Sequence, residues 1–115
     1  MKLALAVLGL LVCSVAHADT ESAAKKLSDC VTQYADSQVE TTKSAGIISD
    51  ESFDKCSAEL SEYYDSIGPD KAQWSGLSAQ QKEAISKIRD QTTSKVRESL
   101  SSQIVTFITE SRKRS

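Results

Sequence analysis

The chain has 115 residues, a formal net charge of -2 and 26% charged residues, with one histidine and three cysteines. That is the size of one small domain with a modest core, and the near balance of charge gives no reason to expect nucleic acid as a partner. The single histidine, His17, lies within the leader segment expected over residues 1–18, so the mature chain is expected to have none, which removes Ser-His and Cys-His chemistry and leaves carboxylates, lysines and tyrosines as the reactive groups.

Residues 1–18 read as a secretory leader. A lone Lys2 precedes the apolar run 3–12, and Ala16-His17-Ala18 supplies the small-x-small pattern of a signal peptidase site, so cleavage is expected after Ala18. The apolar run is too short for a permanent anchor, and Val12 stands before Cys13 where a lipid-attachment site needs a small residue. The expectation is an exported protein, periplasmic or extracellular, with residues 19–115 as one small all-helical domain. Losing the leader removes His17 and Cys13, so Cys30 and Cys56 are the two cysteines left. In an oxidising compartment they are expected to form one disulfide.

Charge is uneven along this mature chain. Residues 19–70 hold 12 acids and 4 bases, whereas residues 71–115 hold 4 acids and 9 bases. The two parts should attract one another, either as helices packed side by side or as a bipolar surface that recruits a charged partner.

Glycine and proline punctuate the mature chain only at Gly46, Gly68-Pro69 and Gly76, and the apolar residues between them recur with helical spacing. Ala23, Ala24, Leu27, Cys30, Val31, Tyr34 and Ala35 make the stripe of a first helix from about Thr20. A second helix is expected over 50–67, capped by Ser49 with Ile48 stapled onto Phe53 and stopped by Gly68-Pro69. Cys56 lies about six residues inside it, so a close antiparallel hairpin requires the first helix to end near 36–39. Asp50, Glu51, Asp54, Glu59, Glu62 and Asp65 are strung along this helix rather than gathered in a loop, which suits a solvated face better than a calcium site. Tyr63, Tyr64 and Trp74 are expected to seal the bundle end around Gly68-Pro69.

A third helix starts after Ser78, which forms a capping box with Gln81, and has no glycine or proline to the end of the chain. Ile85, Ile88, Val96, Leu100, Ile104, Phe107 and Ile108 mark one face, with Thr92 as a polar interruption. The helix is either continuous or kinked at 91–94. Arg112-Lys113-Arg114 complements the negative end of its dipole. The segment Leu77-Ser78-Ala79-Gln80-Gln81 resembles the Leu-Thr-x-x-Gln motif of a group of periplasmic chaperones and stress sensors, with Leu77, Ser78 and Gln81 at its defining positions. The resemblance spans about ten residues, has serine for threonine and one copy where the group usually has two. It implies an exported, all-helical, dimeric protein that shields unfolded clients in a curved cradle. The same letters also read as a plain capping box.

The fold class expected is therefore all-α: a disulfide-clamped helical hairpin with a long C-terminal helix. If the second helix covers only the first half of the third, residues after about Arg97 overhang. Leu100, Ile104, Val105, Phe107 and Ile108 would then form an uncovered apolar band, the candidate partner surface, to be met by a second copy or a bound client. No catalytic residue, metal or cofactor is expected. The functional expectation is an exported binding module, chaperone-like or inhibitor-like. The alternative is a structural or assembly component of the cell envelope whose basic C-terminal helix touches another subunit or a membrane surface.

Overall fold

The computed structural model describes residues 2–114, with side chains from residue 19 onward. The leader and its cleavage site lie outside the residues whose side chains are described. Five helices follow in order: α1 Lys2–Gln38, α2 Ala45–Lys55, α3 Ser57–Ser66, α4 Lys71–Ser75 and α5 Ala79–Arg114. No strand occurs among the described residues.

α1 buries Ala23, Leu27, Val31 and Ala35, an unbroken four-residue series that puts one narrow stripe into the core. α2 and α3 run back along it. Thr20 Oγ1 donates to the Ser66 carbonyl at 3.2 Å, Lys26 pairs with Glu62 at 3.0 Å, and Cys30 is bonded to Cys56. Ten residues forward along α1 is thus ten residues back along the return limb, which is the register of an antiparallel hairpin. α1 ends at Gln38, within the interval that the position of Cys56 requires.

The return limb differs from the single helix expected over 50–67. It starts earlier, with Ser44 rather than Ser49 as the cap: the Ser44 hydroxyl accepts the Ile47 amide at 3.3 Å. Gly46 sits in the first turn, where a glycine weakens a helix little. Ser49 is buried, and its hydroxyl meets that of Ser101 at 2.6 Å, so a tertiary contact with α5 has claimed the residue that looked like a cap. Ile48 and Phe53 are both in the core. The limb is also broken at Cys56, whose φ and ψ of -102° and 29° leave the helical range and divide α2 from α3.

α4 is an additional short helix. Asp70 accepts the Gln73 amide at 2.8 Å while the Gln73 side chain accepts the Asp70 amide at 3.1 Å. Gly68, with φ of 88°, provides the left-handed turn that leads into it. α5 begins with the expected box, Gln81 N to Ser78 Oγ at 3.2 Å and Ser78 N to Gln81 Oε1 at 2.9 Å, and runs without interruption to Arg114.

The expected overhang of the C-terminal half of α5 is corrected by the way α5 is seated. Arg89, not Ala79, lies level with the end of α3, and Arg112 reaches the α1–α2 connection. The α4 turn takes up the intervening chain, so the N-terminal turns of α5 project and the C-terminal half lies along the hairpin. Ile104 and Ile108 complete the core at 3% and 0% exposure, while Ile88, nearer the projecting end, is 55% exposed.

Removing the Cys30–Cys56 link, whose sulfurs join residues 26 apart, should lower stability by about 3.5 kcal/mol on the loop-entropy estimate. Urea unfolding of Cys30→Ala/Cys56→Ala against the oxidised protein measures it.

Candidate functional site

Two arginines determine where α5 presents its faces. Arg89 follows Ile85 by one helical turn and is only 8% exposed. Its Nε donates to the Ile67 carbonyl at 2.7 Å and its Nη2 to the Pro69 carbonyl at 3.2 Å, so it binds acceptors that the end of α3 leaves without helical partners. Its guanidinium lies 4.8 Å from the Trp74 ring centroid and 5.6 Å from that of Tyr64, and Lys82 lies 5.9 Å from the Trp74 centroid. Tyr63 enters the core, while Tyr64 and Trp74 flank the arginine at the end of the bundle.

Arg112 acts at the opposite end. It extends the series Leu100, Ile104, Ile108 by one further step of four, and its Nε donates to the Val39 carbonyl at 2.9 Å while Nη2 donates to Thr41 and Lys43 carbonyls at 2.9 and 2.8 Å. A planar fork with five donors suits this convergence of carbonyls, which a lysine could not reproduce. Midway, Arg97 lies 4.8 Å from the Phe53 ring centroid. Three of the basic residues of α5, Arg89, Arg97 and Arg112, thus engage carbonyls and a ring of the acidic hairpin, while Lys113 pairs with Glu110 of α5 itself. The ion pairs Lys26–Glu62 and Lys43–Glu51 lie within the hairpin itself.

The five candidate surface residues do not form one exposed band. Ile104 and Ile108 face inward, which corrects that part of the expectation, since the seating of α5 places both against α1 and α2. Leu100 and Phe107 are half-buried at the rim of an open groove between α1 and α5, about 180 Å³ in volume, with Thr32 and Ala35 on its other wall. Val105 points to the opposite flank of α5, beside Ser101 and Arg97 in a wider open depression of about 580 Å³. The small Thr32 and Ala35 facing the larger Leu100 and Phe107 leave a shallow slot rather than a closed pocket.

Among the described residues no group of histidine, cysteine, aspartate and glutamate side chains is arranged to hold a metal ion. Glu51 and Glu62 of the acidic series are taken up by Lys43 and Lys26, and Asp50, Asp54 and Asp65 are exposed. No helix among the described residues is long and apolar enough to cross a membrane. Comparison with protein-family models, with curated proteins and with solved structures finds no match.

The arginines were the feature hardest to see in the sequence. Their signal was position: each stands on an apolar stripe at a step of four from an isoleucine, where a solvated arginine has no reason to be.

Arg89→Gln should lower stability by about 1–3 kcal/mol, since the carbonyls at the α3 end lose their donors, and Arg89→Lys should restore little of it. Urea midpoints of the two variants test this. Burial raises the Tyr63 phenol above 10.0, and burial followed by the neighbouring Asp90 carboxylate raises Tyr64. The fold therefore favours both neutral phenols. This stability is fully present below the unfolded tyrosine value and is lost as pH rises through the folded values. Urea midpoints between about pH 8 and about pH 11 should fall more steeply in the wild type than in Tyr63→Phe/Tyr64→Phe.

Proposed function

We propose that the protein is an exported binding module, chaperone-like or inhibitor-like, rather than a catalyst. The observation that carries this reading is the open α1–α5 groove, where the half-buried Leu100 and Phe107 face the small wall of Thr32 and Ala35. An extended or helical segment of another protein can lay apolar side chains into such a slot. The disulfide suits an oxidising, exported compartment, and the leader expected over 1–18 with cleavage after Ala18 supplies the route. Periplasm or extracellular medium is the destination in this reading.

Thr32 is exposed, so Thr32→Arg should block the groove while changing stability by no more than about 0.5 kcal/mol. The mature protein should slow the aggregation of a heat-denatured model client, and Thr32→Arg should lose that effect at unchanged urea midpoint. A protein without effect on the client, or a variant as active as the wild type, contradicts the reading. Light scattering on the same samples separates a client-binding groove from one covered by a second copy, which would give twice the monomer mass.

The second reading is a structural component of the cell envelope. It is favoured by the exposed Lys113 and Arg114 at the end of α5, brought by Arg112 to the same end of the molecule as Ile47, which is 54% exposed. Sedimentation with anionic lipid vesicles, compared with neutral ones, tests its membrane form.

A further inference from the structure

The return limb is broken at a position where its sequence contains no helix breaker. Between Gly46 and Gly68 there is neither glycine nor proline, and sharp interruptions of helices have local causes: proline, glycine, a bulge, or a side chain that competes with the backbone ladder. The hydrogen-bond ladder arrives intact, with the Cys56 amide on the Ser52 carbonyl at 3.0 Å, and resumes at once, with the Leu60 amide on the Cys56 carbonyl at 2.9 Å. Between them Cys56 alone leaves helical geometry. It supplies no side-chain cap, so the amides of Ser57, Ala58 and Glu59 open α3 without a partner in their own helix. Cys56 is fully buried and covalently tied to Cys30, with 6.0 Å between the two Cα atoms. α1 therefore holds this one residue of the limb by a covalent bond, whereas its polar ties to the limb at Ser66 and Glu62 are non-covalent.

We propose that the cystine imposes the break, and that Cys30–Cys56 is a redox-sensitive element which sets the limb as two helices when oxidised and as one continuous helix when reduced. The co-reactant is a dithiol, either a small molecule or a dithiol oxidoreductase. Its thiolate attacks the Sγ of Cys30, the less buried of the two cysteines, and the Cys56 sulfur leaves as a thiolate and takes up a proton. The second thiol of the dithiol then displaces Cys30, which is likewise protonated. The protein gains two electrons and two protons, and the dithiol becomes a disulfide. With Cys56 released, its backbone can return to helical angles, and the amides of Ser57, Ala58 and Glu59 can reach the carbonyls of Phe53, Asp54 and Lys55. The outcome is a change in the direction of α2 relative to α3, at a point where both lie against α1 and α5.

Amide hydrogen exchange resolved by residue tests this on the full mature chain in three forms: oxidised, reduced with dithiothreitol, and Cys30→Ala/Cys56→Ala. In the reduced and variant forms the amides of Ser57, Ala58 and Glu59 should gain protection by about tenfold over the oxidised form, while Leu60 and Tyr63 keep theirs or lose some. Unchanged exchange at 57–59 in a folded reduced form overturns the proposal. So does global loss of protection in both reduced forms, because the switch requires a folded reduced state. A competing cause is Ser52, whose hydroxyl donates back to the Ser49 carbonyl at 2.6 Å, a bond that can bend a helix. Ser52→Ala in the oxidised protein should leave 57–59 unprotected; protection gained there would assign the break to the hydroxyl and overturn the proposal as well.

Discussion

Much of this molecule depends on how α5 is fastened to the disulfide-linked hairpin of α1, α2 and α3. Arg89 and Arg112 stand about six helical turns apart on α5, and each closes on backbone carbonyls where the hairpin changes direction: Ile67 and Pro69 at one end, Val39, Thr41 and Lys43 at the other. Those carbonyls lie where α1 and α3 have ended, so the helical ladder does not satisfy them. A charged, planar donor supplies stronger bonds than a neutral one would. Because the two anchors are held at fixed separation by a rigid helix, α5 has one longitudinal position. Sliding it by a turn would break both sets of bonds together.

The apolar core follows from that position. With Arg112 at the α1–α2 connection, Ile104 and Ile108 join Val31, Ala35 and Ile48 in one buried cluster. Ser101 falls opposite Ser49 and pairs with it. At the other end the face of α5 turned away from Arg89 leaves Ile88 exposed, and Trp74 lies within reach of both Arg89 and Lys82. The slot between α1 and α5 has the same origin: α5 is drawn in by its ends and its Ile104–Ile108 face, and Thr32 and Ala35 are too small to close the gap opposite Leu100 and Phe107.

The helical class, the end of α1, the cap of α5 and the Cys30–Cys56 pairing were legible because each rests on local chemistry: spacing of apolar residues, a capping box, and two cysteines in one chain. Local chemistry misled where a tertiary contact outbid it. Ser49 carries the letters of a cap, yet its hydroxyl is spent on Ser101, and Ser44 caps instead. The break at Cys56 has no local signal at all, since it lies in the middle of a good helical stretch. α4 does carry one: Asp70 and Gln73 have the same spacing as Ser78 and Gln81. Ile104 and Ile108 of the candidate surface face inward for a different reason. Its residues are apolar as expected, but whether an apolar residue faces a partner or the core depends on the longitudinal position of its helix, which is decided by arginine–carbonyl bonds far away in sequence.

The seating of α5 can be tested by a single cross-link. Ser49 and Ser101 touch through their hydroxyls only if the C-terminal half of α5 lies along α2. In a Ser49→Cys/Ser101→Cys variant, mild oxidation of the folded monomer should form a second intramolecular disulfide in nearly all molecules, seen as the loss of two further hydrogens in the intact mass and as a 49–101 cross-linked peptide. Two thiols that stay free under native oxidation, or pair only between molecules, would mean that α5 overhangs the hairpin and that the two arginine clamps do not hold it there.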